Sequence, residues 1–211
     1  HAAAAPEKGI NALDGVILLY NGINALRQHV TSDVRIHGII SSGGAAPNIV
    51  PDYAEAKFYF RAKEKANLEM VVAKIKECAV GAAKMTGATV KISYFENSYD
   101  NLRTNQALSD LFSANLFGLG ETDVKPAGDG VGSIDMGNVS QEVPTIHPWI
   151  GAGDSSLIIH SKEFADHTIT DLGKTTIYKG ACALGLTAYD VITSKENQEK
   201  IKKEFMSYHG E

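Results

Sequence analysis

The chain has 211 residues, of which 44% are hydrophobic and 21% are charged, a composition typical of folded globular domains. Its formal net charge is -5 at pH 7, which argues against a nucleic-acid partner, because such proteins cluster Lys and Arg along the phosphate backbone. No apolar run approaches the roughly 20 residues that cross a bilayer, and no signal peptide is recognisable. We therefore expect a soluble, cytoplasmic protein of one or two domains.

The first half of the chain alternates amphipathic helices with strands. Apolar residues recur at helical spacing over 12–28 and again over 68–85. Aromatic and β-branched residues predict strands over 34–41 and 53–61, and a further strand over 90–94. If the stretch before the first residue supplies another strand, the order is βαββαβ, which is the ferredoxin-like pattern of an antiparallel sheet backed by two helices.

The second half is mostly helical. Three segments have helical spacing: 106–117, 169–192 and 195–208. Between them lie a glycine-rich polar stretch over 118–137 and two short apolar segments, around 145–150 and 157–159, that resemble strands. We expect one domain over 1–104 and a second over 105–211, and the second has few strands for a free-standing domain.

Motifs that carry chemistry are scarce. The sequence contains no HExxH, GxSxG, Walker loop or GxGxxG motif. The Gly-Ala-Gly-Asp segment at 151–154 permits close approach of a ligand, although a plain tight turn is the commoner use of such a segment. His160 follows the apolar run 157–159, so we predict that it lies at a strand end, where sites of α/β sheets collect. The alternative is an exposed turn residue.

Six motifs nevertheless resemble, in order and over nearly the whole chain, the aminoacylase, carboxypeptidase G and aminobenzoyl-glutamate hydrolase family. Three resemble its lid domain: HAAAAP with GINALD over 1–14, GGAAPNIVP over 43–51 and FRA over 60–62. Three resemble its C-terminal catalytic segment: GSIDMGNVS over 132–140, VPTIHP over 143–148 and HSKEF over 160–164. The resemblance is strongest to the aminobenzoyl-glutamate hydrolase-like and β-alanyl-lysine dipeptidase-like branch.

The resemblance implies a metal-dependent amidohydrolase or dipeptidase. Such an enzyme hydrolyses the amide bond of an N-acyl amino acid or dipeptide with water activated by two divalent ions, zinc or manganese. It implies that residues 1–104 form a ferredoxin-like lid, through which a homodimer assembles. Residues 105–211 are then the C-terminal part of a zinc-peptidase-like α/β/α catalytic domain.

Two histidines match residues with direct chemical roles in that family. His160 matches a histidine that ligates one metal ion. His1 matches the lid histidine that donates a hydrogen bond to the tetrahedral oxyanion, often in the active site of the partner subunit.

Four further residues match positions that bind substrate. Asn48 matches a lid asparagine that helps to hold the substrate, and a turn former beside a proline is its alternative reading. Arg61 matches a position that binds the substrate carboxylate through its bidentate guanidinium, with an exposed strand residue as the alternative. Gly151 and Gly153 match a turn whose backbone N–H groups bind the same carboxylate.

The departures from the family are as specific as the matches. The family takes its other metal ligands from a His-x-Asp, a bridging Asp and a Glu-Glu pair upstream of the lid, and this sequence contains no His-x-Asp or Glu-Glu. Ile134 also stands where this branch generally has Thr. We therefore expect a missing N-terminal catalytic segment, weak or no metal binding, and no activity from the chain alone. The alternative is a non-catalytic dimerisation or small-ligand-binding module.

Overall fold

The structure is a computed structural model that describes residues 1–126 and 132–208. It contains two compact units, one formed by His1–Ser98 and one that begins at Tyr99. Residues 127–131, within the glycine-rich stretch expected over 118–137, lie outside the described residues. Within the described ranges, no helix has both the length and the apolarity needed to cross a membrane.

The two helices expected in the first unit are confirmed. Helix α1 covers Ala12–Leu26, and the Asn11 side chain caps it by accepting hydrogen bonds from the backbone N–H groups of Leu13 and Asp14. Helix α2 covers Lys65–Thr86. Short 3-10 turns at Pro6–Lys8 and Arg27–His29 flank α1.

The two strands between these helices are also confirmed. Strand β1 covers Arg35–Ser42 and strand β2 covers Glu55–Arg61, and they pair antiparallel with Gly38 opposite Phe58. Apolar residues of both helices and of β1, together with the residue just before β1, pack into one core, which also receives Phe58 and Phe60 from β2. The buried members are Ile23, Val34, Ile36, Val71 and Ile75. The hydrophobic face of the sheet thus fixes the register, because a slip of one residue would expose it.

The strand predicted over 90–94 is wrong. These residues form no strand in the structure, and Val90, Ile92 and Tyr94 are 44%, 47% and 72% exposed. Directly after the segment, the Phe95 ring meets the Tyr59 ring of the sheet edge-on at 5.3 Å. A strand exists only as part of a hydrogen-bonded ladder, and within the described part of the chain no backbone ladder reaches residues 90–94. The first unit is therefore a mixed α/β unit with a two-stranded sheet.

Helices make up most of the second unit, as the periodicity indicated. Helix α3 covers Gln106–Gly118, and the chain continues through two short helices that we did not predict, α4 over Met136–Glu142 and α5 over Lys162–His167. Helix α6 covers Asp171–Thr193 and helix α7 covers Lys195–Ser207, both as expected.

The two short strands predicted for the second unit are wrong. The segment around 145–150 contributes one isolated parallel bridge, between Thr104 and Thr145. Residues 157–158 have no regular structure, and residues 159–160 lie in a turn. Packing is instead between helices, where Phe112 and Leu116 of α3 meet Ala183 of α6. Apolar runs of three to six residues are compatible with either state, and backbone pairing decides between them.

Candidate functional site

His1 and Asn48 come together in the first unit. The Asn48 amide nitrogen lies 3.4 Å from Nε2 of His1, and the backbone N–H of Ala2 donates to the Asn48 carbonyl at 3.0 Å. Both side chains are exposed, so the pair is accessible to a ligand. The structure thus joins two residues that the family resemblance named separately.

The backbone determines which imidazole nitrogen carries the proton. Nδ1 of His1 accepts a hydrogen bond from the N–H of Ala3 at 3.3 Å, so in the neutral ring the proton resides on Nε2. An Nε2–H group needs an acceptor, and a flip of the Asn48 amide presents its oxygen at that position. In the other amide orientation, with the nitrogen of Asn48 towards the ring, the imidazole N–H and the amide NH₂ are two donors for one incoming oxygen.

Arg61 lies at the end of β2, directly opposite Arg35 of β1 on the exposed face of the sheet. Arg35 donates to the carbonyls of Ser32 and Val34 at 2.6 and 2.9 Å. Among the described residues, the Arg61 side chain has no hydrogen-bond or ion-pair partner. Like charges directly opposite each other repel, so an anion bound here relieves that repulsion.

The second unit contains the glycine turn at 151–154, and two carbonyls of this turn are anchored. The imidazole Nε2 of His167 contacts the Ala152 carbonyl oxygen at 2.7 Å, and the Thr176 hydroxyl donates to the Gly151 carbonyl at 3.4 Å. Gly153 has φ +89, and a Cβ there would lie 2.6 Å from Cδ2 of Leu172. Glycine is therefore required at 153 by both conformation and space.

The anchored carbonyls also orient the N–H groups of the turn. In a trans peptide the C=O of one residue and the N–H of the next point in opposite directions. Because the carbonyls of Gly151 and Ala152 are held by Thr176 and His167, the N–H groups of Ala152 and Gly153 point the other way. Within the described ranges, neither N–H group donates to a protein acceptor.

Asp154 closes the turn. Its carboxylate accepts from the Ser156 hydroxyl at 2.6 Å and from the Ser156 backbone N–H at 2.9 Å. The Ser156 hydroxyl, the Ser156 N–H and the charge of His167 hold the pKa of Asp154 below its usual range. Asp154 is therefore ionised near neutral pH, and its carboxylate is hydrogen-bonded within the turn.

His160 lies in the turn that ends at α5, and not at a strand end as we predicted. Its φ is +67, and it is the only non-glycine residue with positive φ in the described part of the chain. Its neighbour Ser161 caps α5 by accepting from the N–H of Phe164 at 3.1 Å. A left-handed backbone conformation costs energy in a residue other than glycine. Such strained residues occur most often at functional sites. The exposed imidazole is free to act as a ligand.

The residues described here do not by themselves fit a dinuclear metal centre. Two bridged ions need several histidine and carboxylate ligands at once. Across residues 1–126 and 132–208, no three His, Cys, Asp or Glu side chains lie close enough to share one ion. His160 can contribute a single ligand.

Two features of the site escaped sequence analysis. His167 is, in the sequence, one of seven scattered histidines, and nothing local indicates that its ring reaches Ala152. The pairing of Arg35 with Arg61 depends on strand register, which the sequence suggests only through alternation of exposed and buried residues.

Comparison with known proteins places these features in a family. Residues 1–85 match M20_dimer, a peptidase dimerisation domain. Over this range the chain belongs to the family of M20 peptidase dimerisation domains. The matched range contains His1, Asn48 and Arg61, together with both strands and α1 of the first unit and nearly all of α2.

Curated relatives extend the similarity into the second unit. The Xaa-Arg dipeptidase of Mus musculus is 37% identical over 97% of this chain and 48% of its own length, and that of Homo sapiens is 36% identical over the same shares. One of the subunits of the p-aminobenzoyl-glutamate hydrolase of Escherichia coli is 35% identical over 52% of this chain and 23% of its own length. The chain spans about half the length of the dipeptidases that it matches.

Proposed function

We propose that this chain is part of a metal-dependent amidohydrolase that cleaves dipeptides or N-acyl amino acids. The observation that carries the proposal is the 37% identity to an Xaa-Arg dipeptidase over 97% of the chain. That similarity is not confined to the dimerisation domain, since it also spans the segment with the glycine turn and His160. The substrates to test first are dipeptides ending in arginine and p-aminobenzoyl-glutamate.

His1 and Asn48 are proposed to bind the scissile carbonyl. An amide carbonyl gains negative charge on oxygen as water adds, and preorganised donors stabilise that charge. The Nε2–H of His1 is available for this role because Nδ1 already accepts from Ala3. Asn48 is placed to orient the imidazole or to add a second donor, since its amide nitrogen lies 3.4 Å from Nε2.

The substrate carboxylate has two proposed binding groups. One is the pair of outward N–H groups at Ala152 and Gly153, whose carbonyl side is anchored by His167 and Thr176. The other is Arg61, which lies opposite Arg35 in the strand pair and whose side chain has no protein partner among the described residues. Both are donor sets that complement a carboxylate.

His160 is proposed as one metal ligand, and the remaining ligands are expected outside this chain. When bound, such metal ions would supply an activated water and would polarise the carbonyl. We further propose that the first unit is a ferredoxin-like lid, that it assembles a homodimer, and that the second unit completes an α/β/α catalytic domain. The match of residues 1–85 to a peptidase dimerisation domain supports the dimer.

A second candidate is a non-catalytic dimerisation or small-ligand-binding module. It is favoured by one observation, that the described residues bring no three metal-ligating side chains together. Like the first candidate, it would bind a carboxylate at the 151–154 turn and Arg61, and it would form a dimer through the first unit. The two differ in whether the native polypeptide holds metal and turns over substrate.

The deciding experiment uses the polypeptide that carries this sequence in its source organism. Its intact mass, bound metal and hydrolysis of alanyl-arginine and p-aminobenzoyl-glutamate are measured with zinc or manganese present. An amidohydrolase binds about two ions per subunit and releases free amino acid. A metal-free polypeptide without hydrolysis on either substrate leaves the binding module as the function.

A further inference from the structure

We propose that His167 is a positioning residue, which holds the turn at 151–154 so that its N–H groups face a substrate carboxylate. The inference rests on the proposed carboxylate-binding role of this turn and assigns the residue that maintains it. Its basis is the contact of 2.7 Å between Nε2 of His167 and the carbonyl oxygen of Ala152, 15 residues away in the sequence.

The chemistry of this contact fixes the proton on the ring. A carbonyl oxygen only accepts hydrogen bonds, so Nε2 of His167 is the donor. The ring is half-buried, and its backbone carbonyl is held at the junction of α5 and α6 by the N–H and hydroxyl of Thr170 at 3.0 and 2.7 Å. The imidazole therefore extends from a fixed point onto the turn.

The contact orients the peptide between Ala152 and Gly153. With its oxygen held by His167, the N–H of Gly153 points in the opposite direction. Without that donor the peptide plane can rotate, because glycine at 153 permits most backbone conformations. The left-handed φ of +89 at Gly153 is then held by this anchor and by contact with Leu172.

His167 also places a titratable group near the carboxylate of Asp154, which it influences electrostatically. Asp154 is already satisfied by two hydrogen bonds from Ser156. It therefore does not compete for the N–H groups of Ala152 and Gly153. The N–H groups of Ala152 and Gly153 therefore remain available as donors, while the Asp154 carboxylate is hydrogen-bonded to Ser156.

The experiment compares two substitutions of similar length that differ in the donor. His167→Gln retains an N–H donor at the end of the side chain, whereas His167→Met does not. The full 211-residue chain is titrated with alanyl-arginine, and the backbone amide signals of Ala152 and Gly153 are followed by ¹H–¹⁵N NMR. The C-terminal amide of the same dipeptide is the control ligand, because it lacks the carboxylate.

In the wild-type chain we expect both signals to move with the dipeptide and not with its amide. His167→Met weakens binding about tenfold, and His167→Gln stays within about threefold of wild type, since one hydrogen bond contributes about that much. Rescue by Gln is a result that a merely space-filling ring does not produce.

Two results overturn the inference, and they can be distinguished. If the wild-type signals move and His167→Met binds as tightly as wild type, His167 has no positioning role, while the turn keeps its proposed function. If the wild-type signals do not respond to the dipeptide, the carboxylate role of the turn fails, and the role of His167 fails with it. His29→Met, at an exposed histidine outside the turn, shows the effect of losing a histidine elsewhere.

Discussion

Asn48 contacts His1 through its side chain, and the backbone carbonyl of Asn48 contacts Ala2, the residue after His1. The amide nitrogen is 3.4 Å from the imidazole, and the carbonyl accepts from the N–H of Ala2 at 3.0 Å. The loop that contains Asn48 and the segment that follows His1 therefore form one local structure. The imidazole of His1, a hydrogen-bond donor, is thus supported by Asn48, which is 47 residues away in the sequence.

The first prediction concerns this pair. In the polypeptide that hydrolyses dipeptides, Asn48→Ala lowers kcat/KM by about 100-fold, because a donor at a developing oxyanion, or the support of one, is lost. Asn21→Ala, at an exposed position on α1, is the matched control and leaves the rate unchanged. Equal rates for the two variants would remove Asn48 from the proposed site.

The second prediction concerns Gly38 at the centre of β1. A Cβ there lies 2.3 Å from two atoms of the Phe58 ring, which packs against Tyr20 at 5.0 Å between centroids. Gly38→Ala therefore displaces the ring, and we expect the free energy of unfolding to fall by about 1–3 kcal/mol in denaturant titration.

Gly81 supplies the matched control for that measurement. It lies inside α2, and a Cβ there meets nothing within 4 Å. Gly81→Ala should raise the free energy of unfolding by about 0.5–1 kcal/mol, because alanine loses less backbone entropy in a helix than glycine. A Gly38→Ala variant as stable as wild type would contradict the tight packing of Gly38 on Phe58.

The third prediction separates the two glycines of the turn. Gly153 has φ +89 and faces Leu172, whereas Gly151 has no positive φ and no atom within 4 Å of an added Cβ. Gly153→Ala should cost about 1–2 kcal/mol in the free energy of unfolding, since a left-handed backbone is unfavourable for alanine. Gly151→Ala should change it by less than about 0.5 kcal/mol. Similar losses in both variants would show that the turn is not shaped as described.

The fourth prediction is a pH dependence. The Ser156 hydroxyl, then the Ser156 N–H, lower the pKa of Asp154 in the folded chain. A lowered folded-state pKa gives stability that is complete above the unfolded value of about 3.9 and is lost as pH falls through the folded value. Ser156→Ala should raise the pKa of Asp154 towards about 3.9, the ordinary value for the residue, as read from its carboxyl ¹³C shift. An unchanged pKa would count against the Ser156 hydrogen bonds.

The fifth prediction concerns the outward face of α6. Ile177 and Ile192 are 62% and 75% exposed there, and Tyr178 and Tyr189 are 73% and 64% exposed. An apolar stripe of this kind binds hydrophobic dyes. Ile177→Gln with Ile192→Gln should reduce dye fluorescence and change the free energy of unfolding by less than about 0.5 kcal/mol.

The opposite face of α6 provides the contrast. Ala183 is 0% exposed and packs against α3. Ala183→Gln should destabilise the second unit by more than about 2 kcal/mol, because a larger polar side chain must enter a packed core. A stable Ala183→Gln variant would place the core of this unit elsewhere.

The sequence by itself determined the main helices and the paired strands. Apolar periodicity predicted α1, α2, α3, α6 and α7. The ends of each helix in the structure lie within a few residues of the predicted ends. Helices can be read this way because their hydrogen bonds and their apolar stripe both repeat within one segment. The motifs along the chain likewise pointed to His1, Asn48 and the amidohydrolase family.

Tertiary structure alone decided the rest. The apolar segments 90–94 and 157–159 are strand-like in sequence, and neither became a strand, because strands depend on backbone partners that lie elsewhere in the chain. The same holds for the site. The meeting of His1 with Asn48 and the reach of His167 to Ala152 are contacts between residues distant in sequence, set by how turns and helices pack rather than by any local pattern.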